Sequence, residues 1–310
     1  MKKRGGIIIM LFCVALGNRH DSVTFLDSNC GALTPIYTSD SSDSSNSKDT
    51  FRILNGGIGN MFGNPWMALI MTEYECTTRP GFRCVGACGG SLISPRFVLS
   101  AAHCRFSTST TITLGAFDWT KPGPNSITVP ANLQIRHPYY VNRDITFKND
   151  IALYRLARAV RYTELIRPIC LPTNFNPLDN ITHLTASGWG KTEFGHMSNV
   201  LMTTTLEQHD RTKCSNTFIG TVDMSQICAG SSMSQACSGD SGGPITSVYP
   251  IDGTNRVIQL GIVSYGGPNC RTVGVFTNVM FYMNWIIEIA GKGKSVRTTP
   301  LPREYYSAHY

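Results

Sequence analysis

Three short motifs in this chain carry the side chains that nucleophilic catalysis needs. His103 lies in Ser-Ala-Ala-His-Cys, Asp150 in Asn-Asp-Ile-Ala-Leu and Ser241 in Gly-Asp-Ser-Gly-Gly-Pro. A serine hydroxyl is a weak nucleophile at neutral pH, so it needs a neighbouring base and a group that orients that base. The backbone N–H groups of Gly239 and Ser241 could point at one spot in the glycine-bound turn and bind a developing oxyanion. The three motifs together indicate acyl-transfer chemistry, although a lone buried aspartate or a histidine beside a cysteine is usually structural.

The segments around these motifs predict a fold of many short strands. The chain has 310 residues, of which 42% are hydrophobic and only 15% charged, with 29 glycines and 16 prolines. This composition favours a turn-rich all-β protein, built as one large domain or two small ones. Short apolar segments interrupted by Gly, Pro and Asn favour a barrel or sandwich over βαβ units. They include 66–71, 91–100, 110–114, 151–156, 184–188 and 259–264.

One late segment has helical periodicity instead, and it predicts a C-terminal helix. Its apolar face comprises Val279, Tyr282, Met283, Ile286, Ile287 and Ala290, with Trp285 beside it.

Both ends of the chain are predicted to lie outside the folded domain. A basic start followed by an apolar run at 7–16 is typical of a secretory signal peptide, here residues 1–17. Residues 18–52 are predicted to be a pro-segment, and 291–310 a basic tail. The formal net charge of +7 is spread over the chain apart from the two termini, which argues against a nucleic-acid partner. No other segment approaches the length of a membrane span, so we expect a secreted, extracellular protein without a membrane partner.

The motifs, read in order, resemble those of the chymotrypsin-like (trypsin-family) serine peptidases. The resemblance runs from Ile53 to about Ala290 and implies two packed antiparallel six-stranded β-barrels with a C-terminal helix. It implies that Ser241 attacks the scissile carbonyl of a protein or peptide substrate, with His103 as general base and then general acid. Further matching segments are Pro65-Trp66, Gly89-Gly90-Ser91-Leu92-Ile93, Arg167-Pro168-Ile169-Cys170-Leu171-Pro172, Ser187-Gly188-Trp189-Gly190 and Ser264-Tyr265-Gly266.

In the same template Asp150 holds the imidazole tautomer, and the amides of Gly239 and Ser241 form the oxyanion hole. No cofactor is implied.

The resemblance also implies activation by proteolysis. Arg52 and Ile53 match the family's activation site, where cleavage frees the α-amino group of Ile53 to pair with Asp240. A buried carboxylate without a partner is costly, and an ammonium partner removes that cost. An upstream trypsin-like peptidase is the expected activator, and serpin-type inhibitors are a further class of partner.

Ten of the eleven cysteines remain once Cys13 leaves with the signal peptide, and an even number is expected in an oxidising compartment. The resemblance implies the pairs Cys30–Cys170, Cys88–Cys104, Cys214–Cys228 and Cys237–Cys270, and Cys76 is then expected to pair with Cys84.

The loop between Cys76 and Cys84 contains Arg79 and Arg83. The loop is either a basic exosite at the primed side of the cleft or a region whose disulfide only stabilises the fold, and we favour the second interpretation.

The primary specificity pocket departs from the trypsin pattern. Gln235 is expected at its base, where trypsin-like members carry Asp, while Ser264, Gly266 and Gly274 are expected in its walls. Neither 231–238 nor 262–277 contains an acidic residue. A substrate Arg or Lys would therefore bury its charge without a counter-ion, so we expect neutral or polar residues to be preferred.

Three further expectations complete the interpretation. No metal is expected, because Ala116 follows Leu114-Gly115 where calcium-binding relatives carry Glu. Asn180 begins an Asn-Ile-Thr glycosylation signal. The alternative function is a catalytically silent homologue that binds a partner in an extracellular cascade, but the intact triad motifs favour catalysis.

Overall fold

The computed structural model describes residues 23–31, 57–58, 63–76, 78–143, 146–178, 181–191, 196–231, 240–251, 253–267 and 273–291. Strands dominate these residues, as the composition predicts. The strands are β1 (Gly57–Ile58), β2 (Met67–Glu75), β3 (Arg83–Ser94), β4 (Phe97–Ser100), β5 (Thr111–Leu114), β6 (Ile127–Arg136), β7 (Val141–Arg143), β8 (Thr146–Lys148), β9 (Ala152–Leu156), β10 (His183–Gly188), β11 (Met202–His209), β12 (Gln226–Gly230), β13 (Pro244–Ile251), β14 (Thr254–Gly266) and β15 (Gly274–Asn278). The helices are α1 (Arg211–Thr217), a 3-10 turn (Val279–Tyr282) and α2 (Met283–Ala290).

The first barrel closes from six antiparallel strands in the order β2-β3-β4-β9-β6-β5, with β5 paired back to β2. Side chains alternate between the two faces of a strand, so each strand sends every second residue into the barrel. Leu92, Leu99, Ile112 and Leu153 are fully buried in this core. Closure leaves no unpaired edge in this barrel.

The second barrel closes from β11, β10, β13, β14, β15 and β12, because β12 also pairs with β11. The short strand β1 adds to β11 at the outside. Leu184, Ile227, Ile245 and Leu260 are buried in its core. The predicted pair of antiparallel six-stranded barrels is thereby confirmed.

The predicted C-terminal helix is also present, although its first turn is the 3-10 turn Val279–Tyr282. Asn278 caps that turn by accepting the Met280 N–H at 3.1 Å. Trp285 and Ile286 of α2 pack into the core cluster of the first barrel. The helix therefore follows the second barrel in sequence but is buried against the first.

Residues 23–31 lie against the strands and loops that link the barrels. Cys30 is bonded to Cys170, the Leu26 N–H donates to the Leu171 carbonyl at 3.0 Å, and the Gly31 N–H donates to the Pro168 carbonyl at 2.9 Å. This part of the predicted pro-segment is thus held by backbone hydrogen bonds as well as by the disulfide.

Candidate active site

His103 and Asp150 form a hydrogen-bonded pair at the rim of the first barrel. His103 follows β4 and the fully buried Ala101 and Ala102, and the neighbouring Cys104 is bonded to Cys88 on β3. The imidazole Nδ1 lies 2.7 Å from Oδ2 of Asp150, and the backbone N–H of His103 donates to Oδ1 at 2.9 Å. The ring orientation is therefore set at two points by one carboxylate.

Asp150 is only 2% exposed, as the apolar strand that follows it predicts. A buried carboxylate needs donors to replace water. Besides His103, the hydroxyl of Ser264 donates to Oδ2 at 2.6 Å. Thr277 donates from Oγ1 to the backbone carbonyl of Asp150 at 2.8 Å.

Asn149, immediately before this aspartate, has a φ of 51°, a left-handed conformation that is uncommon outside glycine. Its side chain compensates, since Nδ2 donates to the Tyr139 carbonyl at 2.8 Å and Oδ1 accepts the Tyr282 hydroxyl at 2.8 Å. The strained residue therefore fixes the direction in which the chain presents Asp150.

Ser241 lies in a tight turn that only glycine could follow. Gly242 has a φ of 80°, and a side chain there would collide with the Ser100 hydroxyl and the Gly89 carbonyl. The Gly89 N–H donates to the Ser241 carbonyl at 2.8 Å, which ties the turn to β3 of the first barrel. Ser241 and His103 line the same pocket of about 200 Å³.

Asp240, the neighbour of Ser241, is buried with 2% of its surface exposed. Its Oδ1 accepts the Gly190 N–H at 2.8 Å. A side chain at either Gly188 or Gly190 would collide with the carboxylate. The Gly-Trp-Gly sequence therefore forms a cradle for Asp240.

The predicted pocket residues are placed only in part. Gly266 and Gly274 are directly paired across β14 and β15, and a Cβ on Gly266 would find Gly274 Cα only at 3.9 Å, so the space there is open. Ser264 has a contact that the sequence analysis did not expect, because its hydroxyl donates to Asp150. Predicted site residues that lie outside the described residues are Arg52, Ile53, Asn180, Gln235, Cys237, Gly239 and Cys270.

Four disulfides join described cysteines, in the pairs that the sequence analysis expected. They are Cys30–Cys170, Cys76–Cys84, Cys88–Cys104 and Cys214–Cys228.

Sequence reasoning missed an aromatic wall beside the imidazole. Phe147 stacks on His103 with ring centroids 5.0 Å apart and an 18° angle between the planes, and Tyr265 meets Phe147 edge-on at 5.9 Å. The only signal available was the position of Phe147 three residues before Asp150.

Lys148, next to the aromatic wall, connects β8 to the start of β12 and the loop before it. Its Nζ lies 2.6 Å from Asp223 Oδ2 and 2.7 Å from Gln226 Oε1. Burial raises the pKa of Asp223, but hydrogen bonds from Lys148 and Ser225 outweigh this and hold that pKa below its usual value. Gln226 in turn donates to the Phe147 carbonyl at 3.1 Å, so the bridge fixes the backbone beneath the wall.

The negative charge of Asp150 also affects the pKa of Tyr140. Burial and, second, the Asp150 carboxylate raise the pKa of Tyr140 to about 12. This tyrosine therefore stays neutral and offers no base to the site at physiological pH.

The side chains beside the site that could supply metal ligands are already engaged with one another. Cys88, His103 and Cys104 are the single group of three within reach of one another in the described part of the chain. The two sulfurs form a disulfide and the imidazole Nδ1 is bonded to Asp150, so this group does not suit a metal.

The His–Asp pair, the neighbouring serine turn and the twin barrels can be compared with known proteins. The family described as Trypsin matches residues 60–286. The chain belongs to the trypsin family. This trypsin-family chain is 36% identical over 250 residues to Melanization protease 1 of Drosophila melanogaster, an alignment that covers 72% of this chain and 61% of the relative. It is 35% identical over 253 residues to Serine protease ea of the same species, covering 72% and 63%.

Solved structures of the trypsin family agree. The structure of GrC superposes with a TM-score of 0.65 at 30% identity and covers 75% of this chain and 97% of the other. The Drosophila Grass clip serine protease of the Toll pathway superposes with a TM-score of 0.66 at 30% identity, covering 85% and 75%. The chain spans about three fifths of the length of the two sequence relatives named above. Among the described residues, no helix combines the length and apolarity needed to cross a membrane.

Proposed function

We propose that this protein is a secreted serine endopeptidase that is made as a zymogen and activated by cleavage after Arg52. One observation carries the proposal. The imidazole of His103 is bonded through Nδ1 to the buried Asp150 at 2.7 Å and shares a pocket with Ser241. Such a pairing leaves Nε2 of the neutral imidazole as the basic nitrogen, which is what a serine nucleophile needs.

In the proposed reaction Nε2 of His103 takes the proton of the Ser241 hydroxyl while Oγ attacks the scissile carbonyl. The amides of Gly239 and Ser241 stabilise the oxyanion, and His103 then passes the proton to the leaving amine. Water repeats the sequence on the acyl-enzyme. Asp150 remains ionised throughout and holds the imidazolium, supported by the Ser264 hydroxyl.

Activation is proposed to act through Asp240. The carboxylate is buried in the Gly188–Gly190 cradle, where one oxygen accepts the Gly190 N–H. An ammonium freed at Ile53 would neutralise this buried charge and bias the adjacent turn that carries Ser241. Because the cleaved bond follows Arg52, we propose that a separate trypsin-like peptidase is the activator.

We propose that the primary specificity pocket does not strongly select Arg or Lys. Gln235 replaces the acidic residue of the trypsin pattern, and the segments 231–238 and 262–277 contain no Asp or Glu. A charged substrate side chain would lose a charge-assisted bond worth about 1.5–3 kcal/mol. Neutral and polar residues are the proposed class at this position.

The place of action is proposed to be an extracellular proteolytic cascade. The predicted signal peptide supports secretion. Relatives are named Melanization protease 1, Phenoloxidase-activating factor 3 and Spaetzle-processing enzyme, and the last two names state an action on another protein. Protein substrates, and inhibitors of the serpin type, are the partners that this role implies.

The test uses recombinant protein cut at the Arg52–Ile53 bond, a fluorophosphonate probe and a peptide library. We expect labelling that requires the cut and disappears in Ser241→Ala, with activity reduced about 10⁴-fold or more. The library should show no concentration of cleavage after Arg and Lys, and uncut protein kept alone should not convert itself. An unlabelled protein with a free Ile53 terminus and intact disulfides would instead favour the silent binding homologue.

A further inference from the structure

A small pocket lies beside His103 and Ser241 on the side of the first barrel. Its volume is about 200 Å³, and the Cys88–Cys104 disulfide forms part of its wall. The remaining lining residues come from β2 and β3 and from the segment after Cys104; they are Ile70, Thr72, Tyr74, Gly86, Ala87 and Arg105. We call this the Tyr74–Arg105 pocket.

The strand register gives the pocket a single sign of charge. Ile70, Thr72 and Tyr74 alternate along β2 and therefore share the face that lines the pocket. Glu73 and Glu75 project from the opposite face.

The basic side chain of β3 is on that opposite face as well. Arg83 is paired in register with Glu75 and forms an ion pair with Glu73 at 3.3 Å. The two carboxylates of the hairpin and the side chain of Arg83 therefore lie on the other face, and among the described residues that line the pocket only Arg105 has a permanent charge.

Arg105 presents free hydrogen-bond donors there. Its guanidinium carbon lies over the Tyr74 ring, 4.4 Å from the ring centroid, within the range of a cation–π contact. Its side chain forms no hydrogen bond or ion pair with any residue that the structure describes. The N–H edge of a stacked guanidinium matches the geometry of a carboxylate.

The position of the pocket indicates which half of a substrate it meets. The proposed acyl-side residues, Ser264 and Gly266, lie on β14 in the second barrel, and Phe147 stacks on the imidazole beside Tyr265. The Tyr74–Arg105 pocket borders His103 and Ser241 from the first barrel instead. With the acyl side of the substrate proposed to lie over β14, the pocket next to β2 and β3 is placed on the leaving-group side.

We propose that the Tyr74–Arg105 pocket binds the leaving-group side of the substrate and selects an acidic residue shortly after the scissile bond. The inference rests on the proposed function and adds a substrate class to it. Arg105 is the specificity-determining residue, because its N–H groups donate to the substrate carboxylate and none of the described residues that line the pocket is acidic.

An acyl-transfer experiment measures binding at the leaving-group side of the cleft without changing the acyl group of the substrate. A single ester substrate acylates Ser241, and an added dipeptide amide then competes with water for the acyl-enzyme. The amine nitrogen bonds to the acyl carbon, the carbon–Oγ bond breaks, and His103 moves the amine proton to Oγ. The ratio of amide product to acid product therefore reports how well each dipeptide binds.

Dipeptide amides carrying Asp, Asn or Lys at the first or second position are compared in activated wild type, Arg105→Gln and Arg83→Gln. We expect the Asp dipeptide to be favoured over the Lys dipeptide by roughly five-fold, the upper range for an exposed ion pair. The preference should vanish in Arg105→Gln, persist in Arg83→Gln and shrink as salt is raised.

Three results would overturn the inference. They are equal partitioning of Asp and Lys dipeptides in wild type, an equal drop for every dipeptide in Arg105→Gln, and loss of the preference in Arg83→Gln. Fluorophosphonate labelling of wild type distinguishes a failure of this inference from a failure of the proposed function. A labelled enzyme without acid preference refutes the pocket alone, whereas an unlabelled, correctly cut protein refutes the proposed function and this inference with it.

Discussion

At the residue scale, the organising group is the carboxylate of Asp150. It accepts three hydrogen bonds, from the backbone and ring of His103 and from the Ser264 hydroxyl. Buried charge is tolerated only when it is paired and hydrogen-bonded, so each donor lowers the cost of keeping the aspartate ionised beneath the imidazole. Ser264 thus acts through Asp150, as a positioning residue for His103.

Replacing Ser264 with Ala should lower kcat/KM about ten-fold. The change removes one hydrogen bond to a charged acceptor, typically worth about 1.5–3 kcal/mol, while the two bonds from His103 remain. The measurement is steady-state kinetics of activated protein. Thr277→Val is the matched control, since Thr277 donates to the backbone carbonyl of Asp150 and leaves the carboxylate untouched. Equal losses in both variants would contradict a specific role for Ser264.

At the element scale, turns and strand ends position the chemistry more than strand interiors do. The apolar segment 91–100 is divided by a turn at Pro95, which carries no N–H for a strand ladder, and β4 then delivers the chain to His103. Asp150 similarly lies just before β9. The 3-10 turn and helix α2 support the same region through His137, which follows β6 and meets the rings of Tyr282 and Trp285 edge-on.

This contact predicts a loss of stability at acidic pH. Burial lowers the pKa of His137 from 6.5 to about 4. Between these values the unfolded chain binds the extra proton, so stability falls as the pH drops from 6.5 towards 4 and is fully present above 6.5. The contribution is about 3 kcal/mol, at 1.36 kcal/mol for each unit of pKa.

Urea denaturation at pH 7 and pH 4.5 would measure this effect. His137→Phe keeps an aromatic ring between Tyr282 and Trp285 but cannot be protonated, so its free energy of unfolding should fall less between the two pH values. An identical fall in wild type and variant would show that other groups cause the acid sensitivity.

At the scale of the whole molecule, the site lies where the two barrels meet. His103 and Asp150 come from the first barrel, while Ser264 and the turn of Ser241 come with the second. Cross-barrel bonds such as Ser91 Oγ to Gln259 Oε1, at 2.6 Å and fully buried, hold the halves in register. The Cys30–Cys170 disulfide adds a covalent link between residues that are 140 positions apart in the sequence.

Removing the Cys30–Cys170 disulfide should lower the free energy of unfolding more than removing the Cys76–Cys84 disulfide. In the chain-entropy account, losing a disulfide that closes 140 residues lowers the free energy of unfolding by about 5 kcal/mol, and one that closes eight residues by about 2.5 kcal/mol. Urea denaturation of uncut Cys30→Ser/Cys170→Ser and Cys76→Ser/Cys84→Ser variants tests this. A larger loss in the second variant would mean that local packing of the hairpin dominates over loop closure.

The amino-acid sequence by itself determined the twin-barrel fold, the C-terminal helix and the three chemical motifs. The helix follows from its helical spacing, and the apolar segments broken by Gly, Pro and Asn favoured a barrel or sandwich. The pair of six-stranded barrels was implied by the family resemblance that the motifs carry.

Only the tertiary structure decided that Ser264 serves Asp150, that Phe147 covers the His103 ring, and that Arg105 stacks on Tyr74 beside the nucleophile. The physical reason is separation along the chain. Ser264 and Asp150 are 114 residues apart. Contacts of that kind depend on how strands register and how barrels pack, and no local pattern of residue types encodes them.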